Sequence, residues 1–387
     1  MRLWIAGGGT GGHVYPALAV VEALAPTPSP PGPLSRRAVA ERSGEGEGTG
    51  VGVRWIGSRG GVEESLVTRA GLAFDAIPAG GVHGLGPLRA ALNVLKLLAG
   101  TLRAIGLARA FRPQALLVTG GFVSVPAALA CWLRRTPIVV YLPDVEPGLA
   151  VKFVSRLATR VAVSVDDSKQ FLPLRKVVVT GYPTRSDLLR ADRSEAVRHF
   201  GLDPDRKTLL VFGGSTGARS LNRAVGSILE WLLARYQVIH ISGSSDAAEM
   251  RARREALAGE AKSRYHLFEY LHDDMGLALA AADIAVSRSG ASALGEFPLF
   301  GLASILVPYP YAWRYQKVNA DYLASRGAAI RLNDEDLTDG LQPAIDRLMS
   351  DDAARAQMQR QARSLARPDA AARLADLLVG LAEAKRR

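Results

Sequence analysis

The stretch GGGTGGHVYPALAV, residues 7–20, follows directly on the apolar run Leu3-Trp4-Ile5, and five of its first six residues are glycine. Glycine takes up positive φ without steric cost and lets other atoms come close to the backbone. Between a strand and a helix, such a run turns free N–H groups and the positive end of the helix dipole toward a phosphate or a sugar. The reading is a buried strand over residues 2–7, a loop, and a helix over 15–25 beginning near Pro16. TGGFVS (119–124) and GGSTGAR (213–219) have the same grammar. Three such loops at equivalent strand ends place ligand binding at the carboxyl edges of parallel sheets.

Apolar strands recur at VRWIGS, QALLVTGG, PIVVYLP, RVAVSV and KVVVTGYPTR, with helix-length segments between most of them. After a polar helix near 193–200 the pattern restarts with TLLVFGG, QVIHIS, YHLFEY, IAVSR and ASILVPY. Such alternation implies an α/β fold of two doubly wound, Rossmann-like parallel-sheet halves. The expected domains are 1–182 and 183–368, with a C-terminal helix, 369–387, packing back on the first. The segment of about 26–50, rich in Pro, Gly, Ser and charge, cannot bury enough apolar surface to order itself and reads as a disordered insertion.

At 387 residues the chain exceeds one ordinary core, which fits two domains. No uninterrupted apolar run is long enough to suggest a membrane span. The single cysteine, Cys131, excludes an internal disulfide framework and fits a reducing cytoplasm. It reads as a small buried hydrophobe before it reads as a reactive thiol. A net charge of +11 favours a polyanionic partner. Nucleic acid is the weakest such partner and is not expected, because the arginines are dispersed and aromatic residues make up only 6%.

The first loop satisfies G-x-G-x-x-G through Gly7, Gly9 and Gly12. A dinucleotide site also wants an acid at the end of the second strand, and VRWIGS ends in Gly57-Ser58, which disfavours it. In the second half, SRSGASALGE (287–296) puts Ser289, Gly290 and Ala291 at a strand end, where amides can meet a diphosphate. Glu296 follows as an acceptor for ribose hydroxyls. Arg288 can either buttress this loop or pair with phosphate. Gln316 and Asn319 share one helical face, functional or merely polar.

Together GGGTGGHVYPALAV, TGGFVSVPAALA, GYPTR, FGGSTGARSLN, YLHDDM, SRSGASALGE and VPYPYAWRYQKVNADYLASRGAA resemble the MurG family. These are peripheral membrane glycosyltransferases of GT-B fold, two Rossmann-like halves facing across a cleft. They move N-acetylglucosamine (GlcNAc) from UDP-GlcNAc to an undecaprenyl-pyrophosphate-linked MurNAc-pentapeptide (lipid I) in peptidoglycan synthesis. The resemblance implies that Arg185 and Ser215 contact the donor, with Leu271 against the uracil. It further implies that Ala291, Ser292 and Ala293 offer backbone groups to phosphate, Glu296 holds ribose and Gln316 meets the sugar. Thr10, Gly11, Gly12, Gly120, Gly121 and Phe122 would surround the acceptor pyrophosphate. The chain departs from the family at PIVVYLPDVEPG, where Tyr141, Leu142, Pro143 and Asp144 stand in place of a His-Glu-Gln-Asn type segment.

Inverting transfer needs a base for the acceptor hydroxyl and stabilisation of departing UDP. No suitably placed Asp-x-Asp pair occurs, so neither a metal nor another cofactor is expected. His13 and Asp144 are the candidate bases, with Glu146 a weaker third; the structural alternatives of the first two are a loop anchor and a helix cap. Segment 85–111 carries Arg89, Lys96, Arg103 and Arg109 on an apolar background. It reads either as a helix lying on an anionic membrane face or as a core helix with solvated arginines. The expected location is the cytoplasmic face of the cell membrane. A UDP-sugar epimerase, a transferase with another acceptor and a non-catalytic binding protein are the competing readings.

Overall fold

The computed structural model describes residues 1–9, 11–24, 50–81, 87–214, 217–271, 273–311 and 315–385. The expected insertion at 26–50 lies outside them, apart from Gly50. The chain divides into two compact units, Met1–Arg185 with Asp369–Arg387, and Ser186–Pro368.

The first unit is built on a parallel sheet of β1 (Arg2–Gly7), β2 (Gly52–Ser58), β3 (Ala73–Ile77), β4 (Ala115–Gly120), β5 (Ile138–Leu142), β6 (Arg160–Val163) and β7 (Val177–Val179). Their spatial order is β3-β2-β1-β4-β5-β6-β7. Helices cover both faces, which is why β4 and β5 read as unbroken apolar runs and are buried throughout. Side chains alternate across the sheet. Trp4 and Ala6 of β1 point into one apolar cluster, Leu3 and Ile5 into the other.

Helix α1 (Gly11–Ala23) starts inside the glycine run, four residues earlier than its proline suggested, and Pro16 sits within it. Proline there gives up one hydrogen bond to the preceding turn. The buried face of Val14, Pro16, Ala17, Ala19, Val20 and Val21 outweighs that loss. Further along come α2 (Val62–Arg69), α3 (Pro87–Phe111), α4 (Ser124–Leu133) and α5 (Leu149–Leu157). Cys131 lies on α4 with no exposure, and burial pushes its thiol up to about 12, so it stays a protonated core side chain.

Among the described residues the second unit carries six parallel strands, β8 (Thr208–Phe212), β9 (Gln237–Ile241), β10 (Tyr265–Phe268), β11 (Ile284–Ser287), β12 (Ala303–Leu306) and β13 (Ala329–Arg331). Their order is β10-β9-β8-β11-β12-β13. Helices α6 (Arg219–Ser227), α7 (Glu296–Phe300) and α8 (Tyr315–Ala324) bear on the site. The chain then returns to the first unit through α9 (Ala370–Ala384), whose Leu374, Ala375, Leu378 and Ala382 are buried in one cluster with Val14, Ala17, Val20 and Val21 of α1. Burying a leucine fully contributes roughly 1.5–3 kcal/mol. Two strands went unread in the sequence, β3 and β13. Both lie at sheet edges, and neither shows the long apolar run of the central strands.

Candidate functional site

In the first unit β1 and β4 are neighbours, and their pairing slips at the carboxyl end, where Gly7 comes opposite Gly120. The slip brings the two glycine loops together. A Cβ on Gly121 would stand 2.6 Å from the Gly8 carbonyl oxygen, and one on Gly120 would stand 2.7 Å from His13 Nε2. Both glycines have positive φ, +79° and +130°. Only glycine at these two places permits the approach.

His13 is the third residue of α1, half-buried, with Nδ1 3.0 Å from the Gly8 carbonyl oxygen. A carbonyl oxygen only accepts, so Nδ1 carries the proton and Nε2 of the neutral ring carries the lone pair. This arrangement makes His13 a loop anchor through Nδ1, in a bond that does not use Nε2. The two readings of His13 are compatible.

Gly11 and Gly12 form the first turn of α1, while Thr10 lies outside the described residues. Phe122 is half-buried and lies 3.4 Å from where a Cβ on Gly81 would be. Arg185 places its guanidinium 5.1 Å from the centre of the Tyr15 ring on α1, so this arginine stacks within the first unit.

The departing segment resolves unevenly. Tyr141 and Leu142 are core residues of β5 and Pro143 is buried, while Asp144 is half-buried just beyond the strand. Tyr141 bonds Ser164 Oγ at 2.7 Å, and burial pushes its phenol well above the ordinary value. Helix α5 has Gly148 as its N-cap, and Asp144 stands four residues ahead of that position. Asp144 follows β5, which neighbours β4 in the sheet, and its carbonyl accepts from Ser168 Oγ at 3.5 Å.

In the second unit the loop after β8 leads into α6, and its Ser215 lies outside the described residues. Arg219, the first residue of α6, donates to Asp246 Oδ1 at 3.1 Å. The amide nitrogen of buried Asn222 donates to Asp246 Oδ2 and to the Ser242 carbonyl, both at 2.8 Å. Its amide oxygen must then accept from His240 Nε2 at 3.0 Å, and Tyr265 donates to His240 Nδ1 at 2.7 Å. With Nε2 donating, Nδ1 of the neutral ring accepts from the Tyr265 hydroxyl. Burial holds that imidazole down at about 4, against an opposing pull from Asp246.

Ala291, Ser292 and Ala293 occupy a 3-10 turn, Ala291–Leu294, after β11. The Ala293 N–H donates to the Gly290 carbonyl at 3.0 Å, leaving the first two as the better amides for a ligand. Glu296 opens α7, and Leu271, buried, follows β10. Gln316 Oε1 accepts from the Tyr309 N–H at 2.9 Å, so Gln316 meets any ligand as an N–H donor. Asn319 is fully buried, its Nδ2 donating to the Ser289 carbonyl at 3.1 Å; it serves the fold of the loop. Arg288 also buttresses. Its guanidinium donates to Asp334 Oδ1 at 2.5 Å, Ser220 Oγ at 2.7 Å, the Val307 carbonyl at 3.1 Å and the Pro308 carbonyl at 3.3 Å.

Two family models match the chain. The glycosyltransferase family 28 N-terminal domain covers residues 47–163, and the corresponding C-terminal domain covers 208–374. A relative from Roseiflexus sp. (strain RS-1) is 44% identical over 98% of this chain and 94% of its own length. One from Desulforudis audaxviator (strain MP104C) is 36% identical, over 99% of each. Both are UDP-N-acetylglucosamine–N-acetylmuramyl-(pentapeptide) pyrophosphoryl-undecaprenol N-acetylglucosamine transferases. The chain belongs to the MurG family. The crystal structure of MurG from Acinetobacter baumannii superposes with a TM-score of 0.72 at 24% identity, over 98% of this chain and 99% of that one, which shows the shared fold.

Against the MurG pattern, sequence reasoning missed the residues that hold the loops rather than those that line them. Glu63 is fully buried beneath the first glycine loop, yet in GGVEESL it looks like an ordinary acid in the first turn of a helix. Asp246, Asn222 and His240 lie on three separate elements, and Asp334 lies 46 positions from the arginine it pairs with. Neither set has a local spacing that could have marked it.

Proposed function

We propose that the chain transfers GlcNAc from UDP-GlcNAc to the lipid-linked MurNAc-pentapeptide, with inversion and with His13 as general base. The carrying observation is the fixed imidazole of His13, its Nδ1–H held by the Gly8 carbonyl and its Nε2 turned to the Gly120 backbone. In the step, Nε2 takes the proton of the acceptor hydroxyl as that oxygen bonds to the anomeric carbon. The bond from that carbon to the UDP β-phosphate oxygen breaks, and UDP leaves with the electron pair. Gly11, Gly12, Gly120, Gly121 and Phe122 meet the acceptor pyrophosphate, together with Thr10. The donor is served by the amides of Ala291 and Ser292, by Glu296 on ribose, Gln316 on the sugar, Leu271 on the base, and Ser215 and Arg185 on the diphosphate. Asp144, half-buried at the same sheet edge as the glycine loops, is the alternative base.

The lipid-linked acceptor calls for a membrane-facing surface, which we assign to α3. Its Leu92, Leu95, Leu98 and Leu102 are 51–73% exposed, among exposed Lys96, Arg103 and Arg109. Trp132 and Leu133 on α4, against which α3 packs, are exposed as well. Such a basic, apolar face binds anionic lipid at the cytoplasmic side of the membrane.

The test is to incubate the purified protein with radiolabelled UDP-GlcNAc and a short-chain lipid I analogue. Label appearing in lipid, and lost in His13→Ala, is the expected outcome. Label released or epimerised with donor alone would make it another kind of UDP-sugar enzyme, and neither transfer nor donor binding would end the enzymatic reading.

A further inference from the structure

We propose that Glu63 is a positioning residue for the transfer reaction, acting on His13 through the one peptide group that joins Gly8 to Gly9. The proposal rests on reading His13 as the base. Two hydrogen bonds define the arrangement, and they sit at opposite ends of the same peptide. The Gly9 N–H donates to Glu63 Oε2 at 3.2 Å, and the Gly8 carbonyl accepts from His13 Nδ1 at 3.0 Å. A peptide group is planar and stiff, so a carboxylate that fixes its N–H also fixes its C=O. The carboxylate charge polarises the amide as well, which strengthens the carbonyl as an acceptor in a partly buried chain of hydrogen bonds. The proton is thereby kept on Nδ1, and the lone pair of Nε2 is kept on the side of Gly120. A buried acid orienting a histidine is a recurrent arrangement in enzymes; here a peptide stands between the two.

Glu63 is built into this place. It has no exposure, and a Cβ on Gly8 or Gly61 would overlap its carboxylate. Its other oxygen, Oε1, accepts from the Ser58 N–H at 3.0 Å and from the Ser58 hydroxyl. Burial by itself raises the carboxyl pKa, but the bonds from the Ser58 hydroxyl and from nearby backbone N–H groups, Gly9 among them, leave it lowered overall. The charge is thus present at neutral pH. Glutamine cannot substitute, because it offers one acceptor oxygen where two are used and sets an NH2 against an N–H donor. Set against that NH2, the Gly9 N–H loses its acceptor, so the Gly8–Gly9 peptide would turn away.

The test combines kinetics with the state of the imidazole. In Glu63→Gln, kcat is expected to fall about 10²-fold, the scale of a small displacement in a reacting group, with KM for UDP-GlcNAc unchanged. Nitrogen NMR of histidine-labelled full-length protein, with His13 assigned by the loss of its signals in His13→Gln, reads the tautomer without substrate. The wild type is expected to show protonated Nδ1 and unprotonated Nε2, and Glu63→Gln a shift toward the other tautomer. Glu63→Asp keeps the charge but withdraws it by one methylene; it is expected to lose part of kcat and serves if the glutamine variant does not fold. A wild-type His13 protonated on Nε2, or a folded variant with unchanged kcat and tautomer, would overturn the proposal. A Glu63-dependent tautomer without any transfer would instead refute the reaction assigned to the site and leave the positioning role standing.

Discussion

The Cα of Gly120 lies so close to the His13 ring that a Cβ there would be 2.7 Å from Nε2. Gly120→Ala therefore displaces the imidazole, and at φ +130° it also strains the backbone. We expect kcat to fall by about 10²-fold while binding of UDP-GlcNAc, followed by calorimetry, is retained. Full activity in Gly120→Ala would show that the reacting nitrogen lies elsewhere.

His240 couples the second unit to pH. Its folded-state value, about 4, lies below the 6.5 of a free histidine. Between these values the unfolded chain binds a proton that the folded chain refuses, so stability falls as pH drops through that window and is recovered above it. The full effect is about 3 kcal/mol at most, from 1.36 kcal/mol per unit. Thermal midpoints measured from pH 7 to pH 4 should decline, and the decline should be smaller in His240→Gln.

Arg288 and Asp334 form an ion pair whose side chains are 7% and 19% exposed. Removing one partner of such a pair strands the other charge, at a cost of roughly 3–5 kcal/mol. Arg288→Leu is expected to lower the melting temperature strongly. A variant that melts like the wild type but fails to bind UDP-GlcNAc would instead make Arg288 a phosphate ligand.

On α3, Leu98 and Leu102 are 58% and 73% exposed. Replacing both by glutamate removes apolar surface worth roughly 1.5–3 kcal/mol per leucine if fully buried in lipid. Co-sedimentation with vesicles containing anionic lipid should drop more than tenfold, and transfer to a water-soluble acceptor analogue should be unchanged. Wild-type binding should also weaken with added salt, because Lys96, Arg103 and Arg109 act through screened charge.

Much of the fold was legible because parallel strands covered on both faces must be apolar along their length. β1, β4, β5, β8 and β11 announce themselves in this way, and glycine loops follow β1, β4 and β8. Edge strands such as β3 and β13 carry no such run. The start of α1 was misplaced because proline pointed to Pro16, while the apolar face of the helix reaches back to Val14.

The sequence by itself determined two Rossmann-like sheets, the glycine loops at their strand ends and the candidate His13, since these depend on local pattern and on what glycine permits. Tertiary structure alone decided which groups hold those loops in place. Glu63 reaches Gly9 across 54 positions, Asn222 reaches Asp246 across 24, and α9 returns from the end of the chain to lie on α1. A carboxylate becomes an orienting group, and an arginine a buttress, only when folding has removed water and set a specific partner beside it. Spacing along the chain does not record that event, because the partners are neighbours only once the strands have paired.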